Sequence, residues 1–236
     1  MDIRTDEIAP DIFRFSTFVP AIGPTGFTFN QFLVRGDEPF LFHTGMRHQF
    51  PEVSAAIEQL VGLDRLRWIS FGHIEADECG AMNELLAAAP NAEITHGPMA
   101  CMVSLNDLAD RPPVVAGDTP LDIGGHALRF IATPHVPHNW ESGLWFDETT
   151  KTLLAGDLFT SLGDTPAIVE TDLVEGALAA EDVFHATSLG PAVGATMRSL
   201  AELAPETLAC MHGSSFRGDG AAQLLALADR YDAAVG

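Results

Sequence analysis

The segment LRWISFGHIEADECG, residues 66–80, joins an apolar stretch to a dense run of side chains that bind metal ions. Residues 66–71 have the length and apolar character of a short buried strand. Gly72 and Gly80 bracket the polar run that follows, and both permit an irregular backbone. The sequence therefore predicts a buried strand that ends in a polar segment with several potential ligands.

Within this run, His73 is followed by Glu75 at +2, Asp77 at +4 and Glu78 at +5. Side chains two positions apart on a helix point about 200° apart, so His73 and Glu75 can share one ion only from a loop. The alternative interpretation is an acidic first turn of the next helix, because acids there interact favourably with the helix dipole. That alternative accounts for the acids and leaves the histidine unexplained.

Three other apolar segments also run directly into possible ligands. RFIATP precedes His135 and His138, TLLAG precedes Asp157, and TLACM precedes His212. The chain has nine histidines and a single lysine, which directs attention to metal chemistry. One histidine at a strand end could be there by chance, but four such endings together predict a site built on strand ends.

The rest of the chain alternates short strands with helices, and Gly and Pro fall between them. No repeat, linker or low-complexity stretch is present, so we expect one domain spanning residues 1–236. The pattern predicts sheets covered by helices in layers, of the α/β or α+β class. Strands are predicted at 26–34, 39–42, 66–71, 92–95, 120–123, 126–132, 143–146, 152–155 and 207–210, and helices at 51–61, 81–89, 98–108, 175–188, 193–203 and 221–234.

Charge and composition exclude several classes of partner. The formal net charge of −21 repels phosphate backbones and anionic lipids, so neither nucleic-acid nor membrane-surface binding is expected. No apolar run reaches the ~20 residues of a membrane helix, and the N-terminus is polar and acidic. Three widely spaced cysteines suggest no disulfide framework, which favours a reducing cytoplasm.

The order of these motifs resembles the metallo-β-lactamase fold. The matching residues are His73-x-Glu75-x-Asp77, then His138 with Ser142 four positions later, then Asp157 in AGD and His212 in HG. Hydrolases of that superfamily carry His at the second motif position, whereas its flavodiiron branch carries Glu, as Glu75 is here. The resemblance implies a four-layer αββα sandwich of two mixed sheets covered by helices.

The flavodiiron resemblance also implies a dinuclear iron site. It assigns His73, Glu75 and His138 to one iron, Asp77 and His212 to the second, and Asp157 as the bridge. Three carboxylates suit hard iron or manganese ions better than zinc, which prefers richer imidazole or thiolate shells. Manganese and zinc remain the alternative metals. The other ring nitrogens of His73 and His212 should donate to acceptors outside the ligand set.

The sequence departs from the family pattern at three places. Glu78 stands where the family has a sixth-position histidine, so it either ligates the second metal or points away from it. His43 stands where the superfamily often has aspartate, and we expect it to be a supporting or core residue. The sequence ends at Gly236 without the flavodoxin-like domain of flavodiiron enzymes, so no FMN is expected in this chain.

Two further assignments separate neighbouring residues. His138 has the His-to-Ser interval of the family loop and is preferred over His135 as the ligand. Cys79 is expected to be a small buried residue rather than a ligand, and Trp140 and Trp145 are expected to serve ordinary packing. Cys101 and Cys210 are expected to be core residues. The histidines expected to be surface or satisfied interior groups are His48, His96, His126 and His185.

The resemblance implies a non-haem diiron protein that binds O₂ or NO and either reduces it or acts as a carrier or sensor. Reduction would require electrons from an external donor such as a rubredoxin or flavoprotein. A homodimer stays open, although the family's reason for one, an FMN donated across subunits, is absent here. The alternative function is a metal-dependent hydrolase of an ester, thioester or lactam.

Overall fold

The computed structural model describes residues 2–235 and contains two seven-stranded sheets. The strands of the first sheet follow chain order: β1 (Ile3–Ala9), β2 (Ile12–Val19), β3 (Phe27–Val34), β4 (Phe40–Phe42), β5 (Trp68–Ser70), β6 (Glu93–His96) and β7 (Val114–Val115). Strands β1 to β4 pair antiparallel, and β4 to β7 pair parallel. The first sheet is therefore mixed.

The second sheet has the spatial order β12-β14-β13-β11-β10-β9-β8. Its strands are β8 (Leu121–Asp122), β9 (Ala127–Ala132), β10 (Gly143–Asp147), β11 (Thr152–Gly156), β12 (Ile168–Val169), β13 (Thr207–Cys210) and β14 (Ser215–Arg217). Two pairs are parallel, β11 with β13 and β12 with β14, and the other pairs are antiparallel. This sheet is mixed as well.

Helices cover the outer faces of both sheets. The described helices are α1 (Phe50–Leu60), α2 (Ala76–Cys79), α3 (Met82–Ala88), α4 (Pro98–Ala100), α5 (Asn106–Leu108), α6 (Val174–Phe184), α7 (Val193–Ala201) and α8 (Gly220–Val235). A five-residue π turn, Cys101–Leu105, joins α4 to α5, so the single helix predicted at 98–108 is interrupted. Within residues 2–235, no helix is both long and apolar enough to cross a membrane.

Three separate hydrophobic cores hold the layers together. One core fills the space between the sheets, where Phe40 of the first packs edge-on against Trp145 of the second at 5.0 Å between ring centroids. A second core packs α1 and α3 on the first sheet, and a third packs α6, α7 and α8 on the other. The order of layers is helix, sheet, sheet, helix, which confirms the αββα architecture implied by the sequence.

Sheet direction brings the expected ligands to one edge. Strands β9, β11 and β13 run in the same direction, because β9 and β11 are both antiparallel to β10 and β13 is parallel to β11. The segments that follow these strands, with His138, Asp157 and His212, therefore emerge at the same end of the second sheet. The segment after β5 in the first sheet meets them there with His73.

Candidate metal centre

Four side chains converge at the first half of the candidate centre. His73 Nε2 lies 2.8 Å from Glu75 Oε2 and 3.8 Å from Asp157 Oδ2. His138 Nε2 lies 3.2 Å from the same Glu75 oxygen and 3.6 Å from the same Asp157 oxygen. One ligand atom from each residue falls within 4.8 Å of all the others, so the four could surround a single metal ion.

The second half of the centre is formed by Asp77, His212 and the other oxygen of Asp157. His212 Nε2 lies 3.5 Å from Asp77 Oδ2 and 3.3 Å from Asp157 Oδ1. Asp157 thus directs Oδ2 toward His73 and His138 and Oδ1 toward His212. A carboxylate that presents one oxygen to each of two ligand groups has the geometry required to bridge two metal ions.

The backbone of the His73 segment combines both interpretations made from the sequence. His73 and Glu75 lie in an irregular stretch, where residues two apart can face one point. Helix α2 begins directly afterwards, with Glu75 in extended conformation at its N-cap position. Asp77 and Glu78 occupy the first turn of that helix, where acids are favoured by the helix dipole.

Strand β3 holds His212 in place through three consecutive residues. The Phe27 ring stacks on the imidazole at a centroid distance of 4.2 Å, and Phe29 packs edge-on at 5.3 Å. His212 Nδ1 lies 2.8 Å from the carbonyl oxygen of Thr28, so an N–H donated there leaves Nε2 free to face Asp77 and Asp157. Thr28 Oγ1 also accepts the backbone N–H of Gly213 at 2.7 Å.

The sequence left two placements open for Glu78, as a ligand of the second metal or directed away from it, and in the structure its carboxylate lies beside His73. Its carboxylate is buried against His73, with Oε1 3.1 Å from His73 Nδ1 and Oε2 accepting the His73 backbone N–H at 2.6 Å. His43 Nε2 lies 3.6 Å from Oε1 on another side. Glu78 therefore contacts the ring edge of His73 that faces away from the ligand cluster, because the helical turn of α2 directs Asp77 and Glu78 to different sides.

The electrostatics of the cluster are those of a cation site. Hydrogen bonds with His138 and His73 lower the pKa of Glu75 to about 2. Burial by itself would raise the pKa of Asp157. The nearby His212, His73 and His138 outweigh this effect and hold the pKa of Asp157 below its usual range. Burial raises the pKa of Asp77 to about 6, although His212 opposes this effect. Asp77 is therefore the acid that most lacks positive charge nearby.

The donor set fits a pair of hard divalent ions. Asp157 Oδ1 is buried without a hydrogen-bond partner although it faces the second half of the centre. Glu75, Asp77 and Asp157 supply three negative charges, and Glu78 directly behind them supplies a fourth. Two divalent cations would neutralise these four charges, and carboxylates with imidazoles are the ligands that Fe²⁺ and Mn²⁺ accept.

A cavity of about 320 Å³ opens beside the centre. It is lined by five residues of the candidate centre, Glu75, Asp77, His138, Asp157 and His212, and by residues of helix α6 that include Glu181. The other lining residues include Phe27, Pro137, Ala177, Ala180, Phe184 and Tyr231. Thr160, Glu181 and Thr187 also line the cavity, so its surface is partly apolar and partly polar.

The remaining sequence assignments fall outside the cluster. His135 is exposed, and His138 takes the place beside Glu75, as preferred. His126 is buried and pairs with Asp147 at 2.8 Å between Nδ1 and Oδ2. Cys79 is only partly buried, and its thiol donates to the carbonyl of Glu75. Of the other residues, Cys101, Cys210, His43, His96 and Trp145 are buried, and His48, His185 and Trp140 are exposed.

Sequence reasoning did not find the residues that support the ligands. Thr28, Phe27 and Phe29 carry no metal-binding signal, since their role arises from contact with His212 across about 180 positions of the chain. The contact between His43 and Glu78 could not be predicted from the sequence either. The only available signal was that both positions depart from the family pattern.

An αββα sandwich with a carboxylate- and histidine-rich cluster at one sheet edge defines a metallo-β-lactamase-like protein of the flavodiiron kind. The family model described as "ODP family beta lactamase" matches residues 27–213. The chain belongs to this family.

Relatives by sequence are flavodiiron proteins. The chain is 30% identical over 158 residues to a putative diflavin flavoprotein A 2 of Synechocystis sp., covering 62% of this chain and 27% of that protein. It is 35% identical over 119 residues to a coenzyme F420H₂ oxidase of Methanothermobacter marburgensis, covering 46% and 29%. A rubredoxin-oxygen oxidoreductase of Megalodesulfovibrio gigas is 25% identical, covering 84% and 51%. The chain spans between about a quarter and half of the length of these relatives.

Solved structures share the whole fold. The crystal structure of a fragment, residues 1–254, of putative diflavin flavoprotein A 5 from Nostoc sp. has a TM-score of 0.81 at 20% identity, covering 99% of this chain and 95% of that one. The metal-soaked flavodiiron core of Flv1 from Synechocystis sp. has a TM-score of 0.78 at 25% identity, covering 98% and 60%. The described residues thus correspond to the flavodiiron core.

Proposed function

We propose that this chain holds two iron ions and binds a diatomic gas, O₂ or NO, at them. The observation that carries the proposal is the bridge: Asp157 presents one oxygen to His73 and His138 and the other to His212. The first ion would be held by His73, Glu75, His138 and Asp157, and the second by Asp77, His212 and Asp157. When bound, such a pair supplies open coordination positions for the gas and electrons for its reduction.

The second half of the centre has fewer protein ligands than the first. Three residues face it, Asp77, His212 and Asp157, whereas four face the first. Glu78 contacts the outer edge of His73 and adds nothing to the second half. This asymmetry supports binding of the gas at the second ion, and the cavity adjoins both halves of the centre.

The cavity supports a small apolar ligand. Helix α6 contributes Ala177, Ala180 and Phe184 to its lining, together with Glu181. O₂ and NO are nearly nonpolar and enter apolar chambers without losing hydrogen bonds to water. The residues of this chain would thus admit the gas to the cavity and hold the ligand cluster beside it.

Repeated reduction of the gas is a second step of the proposal, because it needs an electron donor. The relatives include a rubredoxin-oxygen oxidoreductase and a coenzyme F420H₂ oxidase, each named for an electron donor. We propose that a rubredoxin or flavoprotein outside residues 1–236 would reduce the centre, and that without such a donor the same site would act as an oxygen carrier or sensor.

We also propose that these residues form a single domain, since both sheets share one core, and that the protein works in the cytoplasm.

The test is metal analysis and gas binding on protein purified without oxygen. Two irons per chain, together with a near-UV absorption change on adding O₂ or NO, are expected. Addition of a reduced rubredoxin or flavoprotein would then separate a reductase, which consumes the gas repeatedly, from a carrier, which binds it once. Binding of fewer than two irons per chain under these conditions would refute the proposal.

Metal-dependent hydrolysis is the second candidate, and the volume of the cavity favours it. About 320 Å³ is much more than a diatomic molecule occupies. Glu75 argues in the opposite direction, because an anionic ligand reduces the Lewis acidity of its metal and raises the pKa of bound water. Two zinc ions per chain with turnover of an ester, thioester or lactam substrate would establish this alternative.

A further inference from the structure

Glu78 and His43 mark the two positions at which the ligand region departs from the family pattern, and they meet in space. Glu78 Oε1 lies 3.6 Å from His43 Nε2, although 35 positions separate the residues. Both side chains are fully buried. An acid in place of a histidine and a histidine in place of an acid therefore face each other directly behind the metal centre.

The Glu78 carboxylate is held from several directions. Oε2 accepts the backbone N–H of His73 at 2.6 Å, and Oε1 lies 3.1 Å from His73 Nδ1. A Cβ at Gly72 would lie 3.0 Å from Oε1, so the carboxylate packs directly under that glycine. The backbone carbonyl of Glu78 accepts from both the N–H and the hydroxyl of Thr44. Its position is therefore determined by contacts at both ends of the residue.

His43 lies beside this group in a left-handed backbone conformation, with φ of 69°. Such a conformation is costly for a residue other than glycine and persists only where the surroundings hold it. His43 Nδ1 lies 3.3 Å from the Asn30 carbonyl oxygen, and this contact directs Nε2 toward Glu78. The turn after β4 thus supplies a side-chain contact to the free side of the Glu78 carboxylate.

We propose that Glu78 is a positioning residue for the first metal, acting through His73. The proposal rests on the dinuclear site proposed above. A proton on Nδ1 that is shared with Glu78 leaves the Nε2 lone pair for the metal and fixes the rotation of the ring. Loss of Glu78 therefore weakens the first metal position and leaves the second unchanged.

Glu78→Gln is the sharpest variant, because Oε2 accepts the backbone N–H of His73 and Oε1 lies 3.1 Å from His73 Nδ1. A glutamine offers one oxygen and one NH₂ group, so one donor of His73 loses its acceptor while the size of the side chain is kept. Partners of this kind typically contribute 10- to 100-fold to metal affinity. We expect binding of Fe(II) at the first position to weaken by that factor.

A double-variant comparison identifies the affected position. His212→Ala removes a second-position ligand, and the remaining ion is titrated anaerobically with Fe(II) against a competing chelator. Adding Glu78→Gln to this variant should weaken the remaining ion by 10- to 100-fold. On a His73→Ala background, Glu78→Gln should change nothing further, since its effect passes through His73.

Asp147→Asn is the matched control, because Asp147 pairs with His126 in the same buried carboxylate–imidazole arrangement outside the centre. This variant should keep both metals at parental affinity. A second measurement uses the diamagnetic Zn(II)-loaded chain, in which the His73 Nδ1–H should give a downfield proton resonance that Glu78→Gln and His73→Ala remove. Absence of that resonance in the parent would overturn the proposal.

The outcomes separate this proposal from the proposed function. Parent protein that cannot bind two Fe(II) ions would refute the dinuclear site itself. A different result is possible with parent protein that does bind two ions. If Glu78→Gln weakens Fe(II) binding on the His73→Ala background and not on the His212→Ala background, Glu78 is a ligand of the second metal. That result would refute the positioning role alone.

Discussion

Replacing Asp77 by asparagine should stabilise the metal-free protein and destabilise the metal-loaded one. Burial raises the pKa of Asp77 to about 6 from an ordinary 3.8, and Asp157 and Glu78 add to the effect while His212 opposes it. At pH 7 the ionised side chain therefore costs about 3 kcal/mol relative to the unfolded chain. The neutral amide of the variant would remove that cost, so the midpoint of thermal unfolding should rise by about 6–12 °C in a chain of this size.

The sign follows from proton linkage. In the metal-free protein, folded Asp77 binds more protons than unfolded Asp77 between about pH 4 and 6. Its contribution to stability is present below this window and is lost as the pH rises through about 6. The difference between Asp77→Asn and the parent should consequently disappear below about pH 4, where both side chains are neutral.

The assay is urea or thermal unfolding of both proteins, with chelator and with anaerobic Fe(II). Asp147→Asn is the control, for which the opposite change in stability is expected. Burial by itself would raise the pKa of Asp147, but hydrogen bonds with His126 and Thr150 outweigh it and lower the pKa. That variant should be less stable than the parent at neutral pH with or without metal. An Asp77→Asn protein that is less stable than the parent in chelator at pH 7 would refute the reasoning.

Three further predictions concern the metal itself. His73→Ala and His212→Ala should each lose at least one metal per chain by elemental analysis, while His126→Ala keeps both; loss in the His126 variant alone would contradict the assignment. Metal content should fall steeply below about pH 5, because Asp77, whose pKa is raised to about 6, takes up a proton in competition with the second ion. Full retention at pH 3 would exclude a carboxylate-rich site. Burial by itself would lower the pKa of His73, but Glu78 and Glu75 outweigh it and raise the pKa to about 11. Metal binding at pH 7 should therefore release about one proton from this residue, which calorimetry in buffers of different ionisation enthalpy would measure.

Local signals in the sequence carried much of the secondary structure. The strand predicted at 26–34 and the helix predicted at 51–61 correspond to Phe27–Val34 and Phe50–Leu60. The strands predicted at 120–123 and 126–132 pair antiparallel across Gly124-Gly125, because glycines at positive φ suit a tight turn between strands. The first hairpin, Ile3–Ala9 with Ile12–Val19, was not predicted, since the polar residues of its first strand obscure the alternation.

The sequence by itself determined the kind of site: which residue types follow apolar strands, that carboxylates are abundant among them, and that Glu75 replaces a histidine. These are properties of short segments, and strand, turn and motif signals are local. Only the tertiary structure decided how the side chains share the site. The two oxygens of Asp157 diverge toward separate histidines, Phe27 stacks on His212, and Glu78 contacts His73 rather than the second half of the centre. The physical reason is that these contacts join residues distant in the chain and depend on the direction of each side chain, which packing of the two sheets and the short helix α2 determines.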